Sequence, residues 1–278
     1  MQIKSGTIVI LMLLSLTASA QRQYSRKDSL RAKAYFDSSW SYSLGSARHQ
    51  AYLDSALMVM PTNAYFWQQK SMPLYKANKY ELGRPFLDSA VKYDPEQWLE
   101  YRGYMKCIFE KNYKVALADF QKAKAKYGKR TVMDHPYDLY IGLCHLQLNL
   151  LDSAEHYISN CIEETLKTRG EKWVHYNHFF YLGVVRYQAE NYKQAIEAFD
   201  KALSLYQGFS DAEYYKALCL HEMGQLQEAY TWMKKANEDH RQGYSLNEDN
   251  CKYEYYPYQV RPAYFSASLE WLRSDANK

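Results

Sequence analysis

The stretch FFYLGVVRYQAENYKQAIEAFDKALSLY, residues 179–206, distributes its apolar and polar positions so that it reads almost entirely as helix. Gly183, Ala195 and Ala202 nevertheless sit where a helix surface would normally carry something larger. Elsewhere Ala, Leu, Lys, Glu and Gln fill long stretches without β-rich runs, which predicts a largely helical protein. The two ends depart from this pattern. An apolar run from Ile8 to Leu16 opens the chain. Near the other end, NCKYEYYPYQVRP alternates aromatics at Tyr253 and Tyr255 in the manner of a strand. After Pro262, residues Tyr264, Phe265, Leu269 and Leu272 fall at helical spacing and predict a short amphipathic helix.

The small positions recur. Ala217, Ala229 and Ala236 follow Gly183, Ala195 and Ala202, each after 34 residues. Gly142, Ala154 and Cys161 keep the same internal separations, as do Ser71, Gly83 and Ala90. Gly103, Ala116 and Ala123 match with one extra residue in the turn, and Ala56 and Pro61 precede Ala90 and Pro95 by 34. Larger residues keep the same period: Trp67 and Phe179 at one place, Tyr80, Tyr113 and Tyr192 at a second, Phe120 and Phe199 at a third. This pattern resembles the tetratricopeptide repeat, a pair of antiparallel helices of 34 residues. The resemblance covers roughly residues 27–240. It implies an all-α fold, a right-handed α-solenoid of about six helix-turn-helix repeats near residues 30–63, 64–96, 97–130, 135–168, 176–209 and 210–240. Residues 241–278 then form a C-terminal aromatic segment and a short capping helix.

Packing explains the small residues. Helices normally lie about 8–10 Å apart, and the near end of that range requires Gly, Ala, Ser or Cys at the crossing. No single pair buries its apolar faces, so the repeats stabilise one another as a stack. Departures mark irregular places. His49 stands where Ala is expected, so the first pair is expected to sit apart or slip in register. The intervals around KYGKRTVMDHP and LKTRGEKW are stretched to 38 and 41 residues and predict longer helix ends or loops at two adjacent junctions.

Composition narrows the setting. In MQIKSGTIVILMLLSLTASAQ, Lys4, the apolar run and Ala18-Ser19-Ala20 have the layout of a secretory signal. The run is shorter than the roughly 18–20 residues a membrane span needs. Cleavage would start the mature chain at Gln21, with no Cys there for a lipid anchor and no membrane-spanning segment, and would place it in the periplasm or cell envelope. Without Lys4 the net charge falls from +4 to +3, and the basic residues are interleaved with acidic ones, which excludes a concentrated nucleic-acid-binding face.

Chemistry finds little purchase. HEMGQ, residues 221–225, begins like a zinc-protease motif but ends in Gln where the second His is needed. His175 and His178 can share a helix face, yet two imidazoles without a carboxylate or thiolate make a poor metal site. Five Cys without a C-x-x-C pair are read as small packing residues, with a Cys144–Cys161 bridge as the alternative. No Gly-rich phosphate loop or nucleophile elbow is present. The expectation is a non-enzyme without metal or cofactor.

In the repeat family the first helix of each pair lines the concave face. Carried onto this sequence, that face includes Tyr65, Gln68 and Tyr75, then Asn177, Phe180, Val184, Tyr187 and Gln188, then Asp211, Tyr214 and His221. The Lys and Arg of a carboxylate clamp are missing from the corresponding places, which hold Leu139, Leu143, Tyr181, Asp211 and Tyr215. An aromatic, mostly uncharged groove, in a chain with 29 Tyr, suits a protein or peptide partner, with a glycan as the alternative. For residues 241–278 two roles stand side by side: a cap over the last helix pair, or a Tyr-rich strand folded back into the groove.

Overall fold

Helix starts are written into side chains that accept the free N–H groups of a first turn. Ser25, Ser46, Asn63 and Asp94 each accept from the backbone N–H three residues on, and Pro95 follows Asp94 at the first helical position. The computed structural model describes residues 24–276, so the signal-like residues 1–20 lie outside the described part. Twelve helices pack in six consecutive pairs. They are α1 (Arg26–Ser39) with α2 (Ala47–Val59), α3 (Ala64–Lys76) with α4 (Tyr80–Tyr93), and α5 (Pro95–Ile108) with α6 (Tyr113–Tyr127). Then come α7 (Tyr137–Gln147) with α8 (Leu151–Arg169), α9 (Tyr176–Gln188) with α10 (Tyr192–Leu205), and α11 (Ser210–Glu222) with α12 (Leu226–Arg241). A thirteenth, α13 (Pro262–Ala276), packs on α12. The result is an all-α solenoid with a C-terminal cap.

The turn inside five of the pairs is one motif. Asn78, Lys111, Asn149, Glu190 and Gly224 all adopt positive φ. In each case the next N–H reaches back to a carbonyl in the last turn of the preceding helix, as in Lys79 to Leu74 and Asn191 to Arg186. This Schellman-type closure satisfies carbonyls that the helix end leaves free. Such turns hold the pairs close, and the small residues make the closeness possible. Gly183, Ala195 and Ala202 are buried at the crossing of α9 and α10, and a Cβ on Gly183 would lie 2.5 Å from the Phe199 ring. At the crossing of α7 and α8 a Cβ on Gly142 would lie 2.5 Å from Ile158. His49 is accommodated differently. Its buried ring binds the Ser39 carbonyl at the end of α1 through Nδ1, 3.0 Å away.

Both insertions take up definite shapes. In the first, β1 (Thr131–Val132) pairs antiparallel with β2 (His135–Pro136), Val132 facing His135. Met133 and Asp134 form the two-residue turn with φ of 47° and 63°, the left-handed pair that a tight hairpin needs. The second insertion lengthens α8 to 19 residues, closes it at Gly170 (φ 89°) and adds a single 3₁₀ turn, Glu171–Trp173.

The C-terminal segment both packs α13 on the last helix pair and lays the stretch before it across the groove. Phe265 and Leu272 of α13 are buried, Leu272 in a cluster with Ala217, Leu220, Ala229 and Met233, and Phe265 with Ala236 and Val260. Residues 244–260, ahead of α13, fold back across the first helices of the repeats. They form turns instead of the expected strand, with Asn250 and Tyr258 at positive φ. Among the described residues no helix is long and apolar enough to cross a membrane.

Candidate functional site

The return segment enters the groove at the sixth repeat, where the Tyr244 carbonyl accepts from Ser210 N at 2.9 Å. Tyr176 Oη both donates to the carbonyl of Asn247 and accepts from its N–H, each at 3.2 Å. Asn177 Nδ2 donates to Glu248 at 2.8 Å, and Tyr104 Oη donates to the Asp249 carbonyl at 3.0 Å. At the second and third repeats, Tyr80 Oη donates to Glu254 at 2.6 Å and Lys111 donates to the Tyr255 carbonyl. Lys76 lies over the Tyr253 ring. The segment then turns back, and Tyr181 Oη donates to the buried Pro257 carbonyl at 3.0 Å.

Asp211 closes the path. One carboxylate oxygen accepts from Leu246 N at 2.9 Å and the other from Val260 N at 2.7 Å, so a single side chain staples both ends of the loop. Asp211 is fully buried; burial pushes its pKa up to about 6, against the two N–H bonds that favour the charged form. Burial also holds Tyr140 and Tyr181 well above the ordinary phenol range, so they remain protonated at neutral pH. Lys111 is lowered by burial, partly offset by Glu254.

The expected concave residues therefore divide. Phe180 and Val184 are fully buried, Asn177 and Asp211 are buried and bonded to the return segment, and Gln68 and Tyr75 are buried, with Tyr75 Oη donating to Glu110. Tyr214 and His221 are half-buried beneath α13, Tyr214 hydrogen-bonded to Ser268 and His221 lying 3.1 Å from Asp275. Tyr187 is half-buried against Tyr215, and Gln188 is exposed. Tyr65 is 42% exposed. It belongs to a ring row, Phe36–Tyr65–Trp98–Tyr101, with successive centroids 5.5, 6.4 and 5.7 Å apart, which runs across the first three repeats. Trp40, half exposed, extends the row edge-on to Phe36.

Residue-type reasoning did not select Tyr104, Tyr176 or His135 for the groove. The signal available was the Tyr excess, which does not say which hydroxyls face main-chain carbonyls. The five cysteines are free; Cys144 lies 3.8 Å from Cys107, and Cys161 sits against His178 with Sγ 3.6 Å from Nδ1. Burial pushes the Cys161 thiol up to about 12 and holds His178 well below the usual imidazole range. Both shifts favour the neutral forms, a thiol and an uncharged imidazole. Burial likewise lowers His175, opposed by Glu248.

The tetratricopeptide-repeat family model matches residues 186–245. No curated protein sequence matches significantly. Among solved structures, the chain is similar to PilW, a widely conserved type IV pilus biogenesis factor, at 15% identity and a TM-score of 0.59, over 77% of this chain and 94% of PilW. It is similar to PilF of Pseudomonas aeruginosa at 14% identity and a TM-score of 0.55, over 77% and 93% of the two chains. Similarity to yeast Tom70 has 15% identity and a TM-score of 0.56, and covers 89% of this chain and 48% of Tom70. At such identities the likeness is one of fold.

Proposed function

We propose, from the premise that the chain is a tetratricopeptide-repeat solenoid, that it is a non-catalytic scaffold of the bacterial periplasm or cell envelope whose concave face binds a protein or peptide. The observation that carries this reading is what the groove already holds. Its Tyr104, Tyr176, Tyr181, Lys111 and Asp211 side chains each bind main-chain N–H or C=O groups of an irregular stretch of polypeptide. Donors and acceptors aimed at peptide groups suit polypeptide recognition better than sugar recognition, which would call for hydroxyl-matched polar clusters beside the rings.

The return segment crosses the face from the sixth repeat to the second, and the partner docks at its N-terminal end on the exposed rings of Trp40 and Tyr65, which Phe36 joins edge-on and buried Trp98 backs from the core. Rigid rings of this kind supply contact area at low rotamer cost. Placement in the envelope rests on the signal-like first twenty residues.

A photo-crosslinking phenylalanine derivative at Tyr65, with the same residue at exposed Leu82 of α4 as control, tests the reading in envelope fractions. A discrete protein adduct from position 65 and not from 82 is expected. Absence of that adduct, together with retention of the protein on a polysaccharide column, overturns it in favour of glycan capture.

A further inference from the structure

Three segments far apart in sequence converge beside the groove: His135 on β2 of the first insertion, His175 at the start of α9 after the second, and Glu248 of the return segment. One ligand atom from each lies within 4.8 Å of the others. His135 Nε2 is 2.9 Å from one Glu248 oxygen and His175 Nδ1 is 3.4 Å from the other. Bond lengths of about 2.0–2.2 Å around a tetrahedral zinc ion put neighbouring ligand atoms roughly 3.3–3.5 Å apart, so small ring rotations complete the geometry. The fold supplies the carboxylate that a pairing of His175 with His178 alone lacks.

Further observations point to a cation. The Glu248 side chain is 7% exposed, and its ion-pair partners among the described residues are these two histidines, with no Lys or Arg. A carboxylate withdrawn from water calls for a compensating positive charge. Asn177, which donates to Glu248, is 1% exposed and its Oδ1 is a buried oxygen without a hydrogen-bond partner. His178 lies behind His135, Nε2 to Nδ1 at 3.1 Å, the place of the outer partner that orients a metal-binding imidazole. There is also a way in: His135, His175 and His178 line a cavity of about 770 Å³, and the His175 side chain is 40% exposed.

We propose that His135, His175 and Glu248 bind one divalent transition-metal ion of the zinc class, which locks the return segment onto the first insertion and α9. The two-nitrogen, one-carboxylate set suits zinc and its neighbours better than calcium or magnesium, which prefer oxygen shells. Coordination through His135 Nε2 places its proton on Nδ1, donated to His178 Nε2; the His178 Nδ1–H then faces Cys161 Sγ at 3.6 Å. Metal entry displaces the hydrogen bond between His135 and Glu248 and the 3.3 Å bond that His175 Nδ1 accepts from the Asn177 N–H at the start of α9, and keeps the three side chains in place. The site depends on the observed position of the return segment and is independent of which partner docks at the exposed Trp40 and Tyr65 rings.

The test uses the signal-cleaved full chain, stripped with a chelator and titrated separately with Zn²⁺ by calorimetry and Co²⁺ by visible absorption. One equivalent should bind, with the intense d–d absorption of a four- or five-coordinate Co²⁺ ion. Glu248→Gln, which retains hydrogen-bonding capacity, and His135→Gln should each weaken binding by about 100-fold or more, and His178→Gln by about 10- to 100-fold as an outer-shell change. His156→Gln, on the exposed face of α8, should bind like the parent. Circular dichroism of each variant separates loss of the site from loss of the fold. In the parent chain, proteolysis within residues 244–260 should be about tenfold slower with metal than without. Failure of the folded parent to bind a stoichiometric equivalent overturns the proposal, as does binding that survives both Glu248→Gln and His135→Gln.

Discussion

Gly183→Ala measures how tightly the solenoid is built. The added Cβ would meet Phe199 at 2.5, 2.6 and 2.9 Å, and Phe199 is itself fully buried. To restore an ordinary 3.4 Å contact the ring would have to retreat by about 0.9 Å. Overpacking a core in this way costs about 1–3 kcal/mol, against which Ala gains about 1 kcal/mol over Gly in a helix interior. With contacts this short the cost falls at the upper end of that range, about 2–3 kcal/mol, and a net loss of about 1–2 kcal/mol is expected. Gly103 is the internal comparison, since its Cβ would meet Phe120 at 3.1–3.2 Å, a clash relieved by a few tenths of an ångström. There the two terms nearly cancel, and Gly103→Ala should change stability by less than about 0.5 kcal/mol. Urea unfolding followed by circular dichroism reads both. Because neighbouring repeats unfold as a coupled array, the comparison is of midpoints between variants of the same chain. A Gly183→Ala protein as stable as the parent, or less perturbed than Gly103→Ala, refutes the close-crossing argument.

Other expectations concern buried charge. Because the folded pKa of Asp211, about 6, lies above the ordinary carboxylate value of 3.8, the folded state holds its proton more tightly, and stability falls as pH rises from about 4 to about 6. The difference amounts to about 3 kcal/mol. Asp211→Asn should remove that slope while losing about 1–3 kcal/mol at pH 5, where its amide faces an N–H donor; parallel pH profiles of parent and variant contradict this. Asp119 accepts from Arg102 at 2.7 and 2.8 Å and from buried Lys106 at 3.0 Å, so Asp119→Ala leaves an uncompensated cation. A loss of about 3–5 kcal/mol in urea titration is expected, and a loss below about 1 kcal/mol would show the pair to be solvated.

The solenoid was legible because its packing is periodic. A crossing that admits only a small side chain recurs every 34 residues, so Gly183, Ala195 and Ala202 announce it in one unit and Ala217, Ala229 and Ala236 in the next. Pro262 and the apolar spacing after it similarly marked α13. The groove's occupant was legible only as one of two alternatives. Its hold comes from single hydroxyls and one carboxylate meeting main-chain groups, and peptide N–H and C=O are the same at every position. Alternating aromatics suggested a strand, but Asn250 and Tyr258 at positive φ break any such run. The family's concave positions, carried onto Phe180 and Val184, fall on side chains that are used up inside this chain's own core. His135, His175 and Glu248 are separated by 40 and 73 residues, so no local motif could join them.

The central claim is that the groove grips polypeptide, beginning with the chain's own return segment. Amide hydrogen exchange at Leu246 and Val260 tests it most directly, because their N–H groups donate to the two oxygens of buried Asp211. The account predicts slow exchange at both positions, and acceleration at both together in Asp211→Ala. Exchange of the two amides at the rate of an unstructured peptide would contradict it.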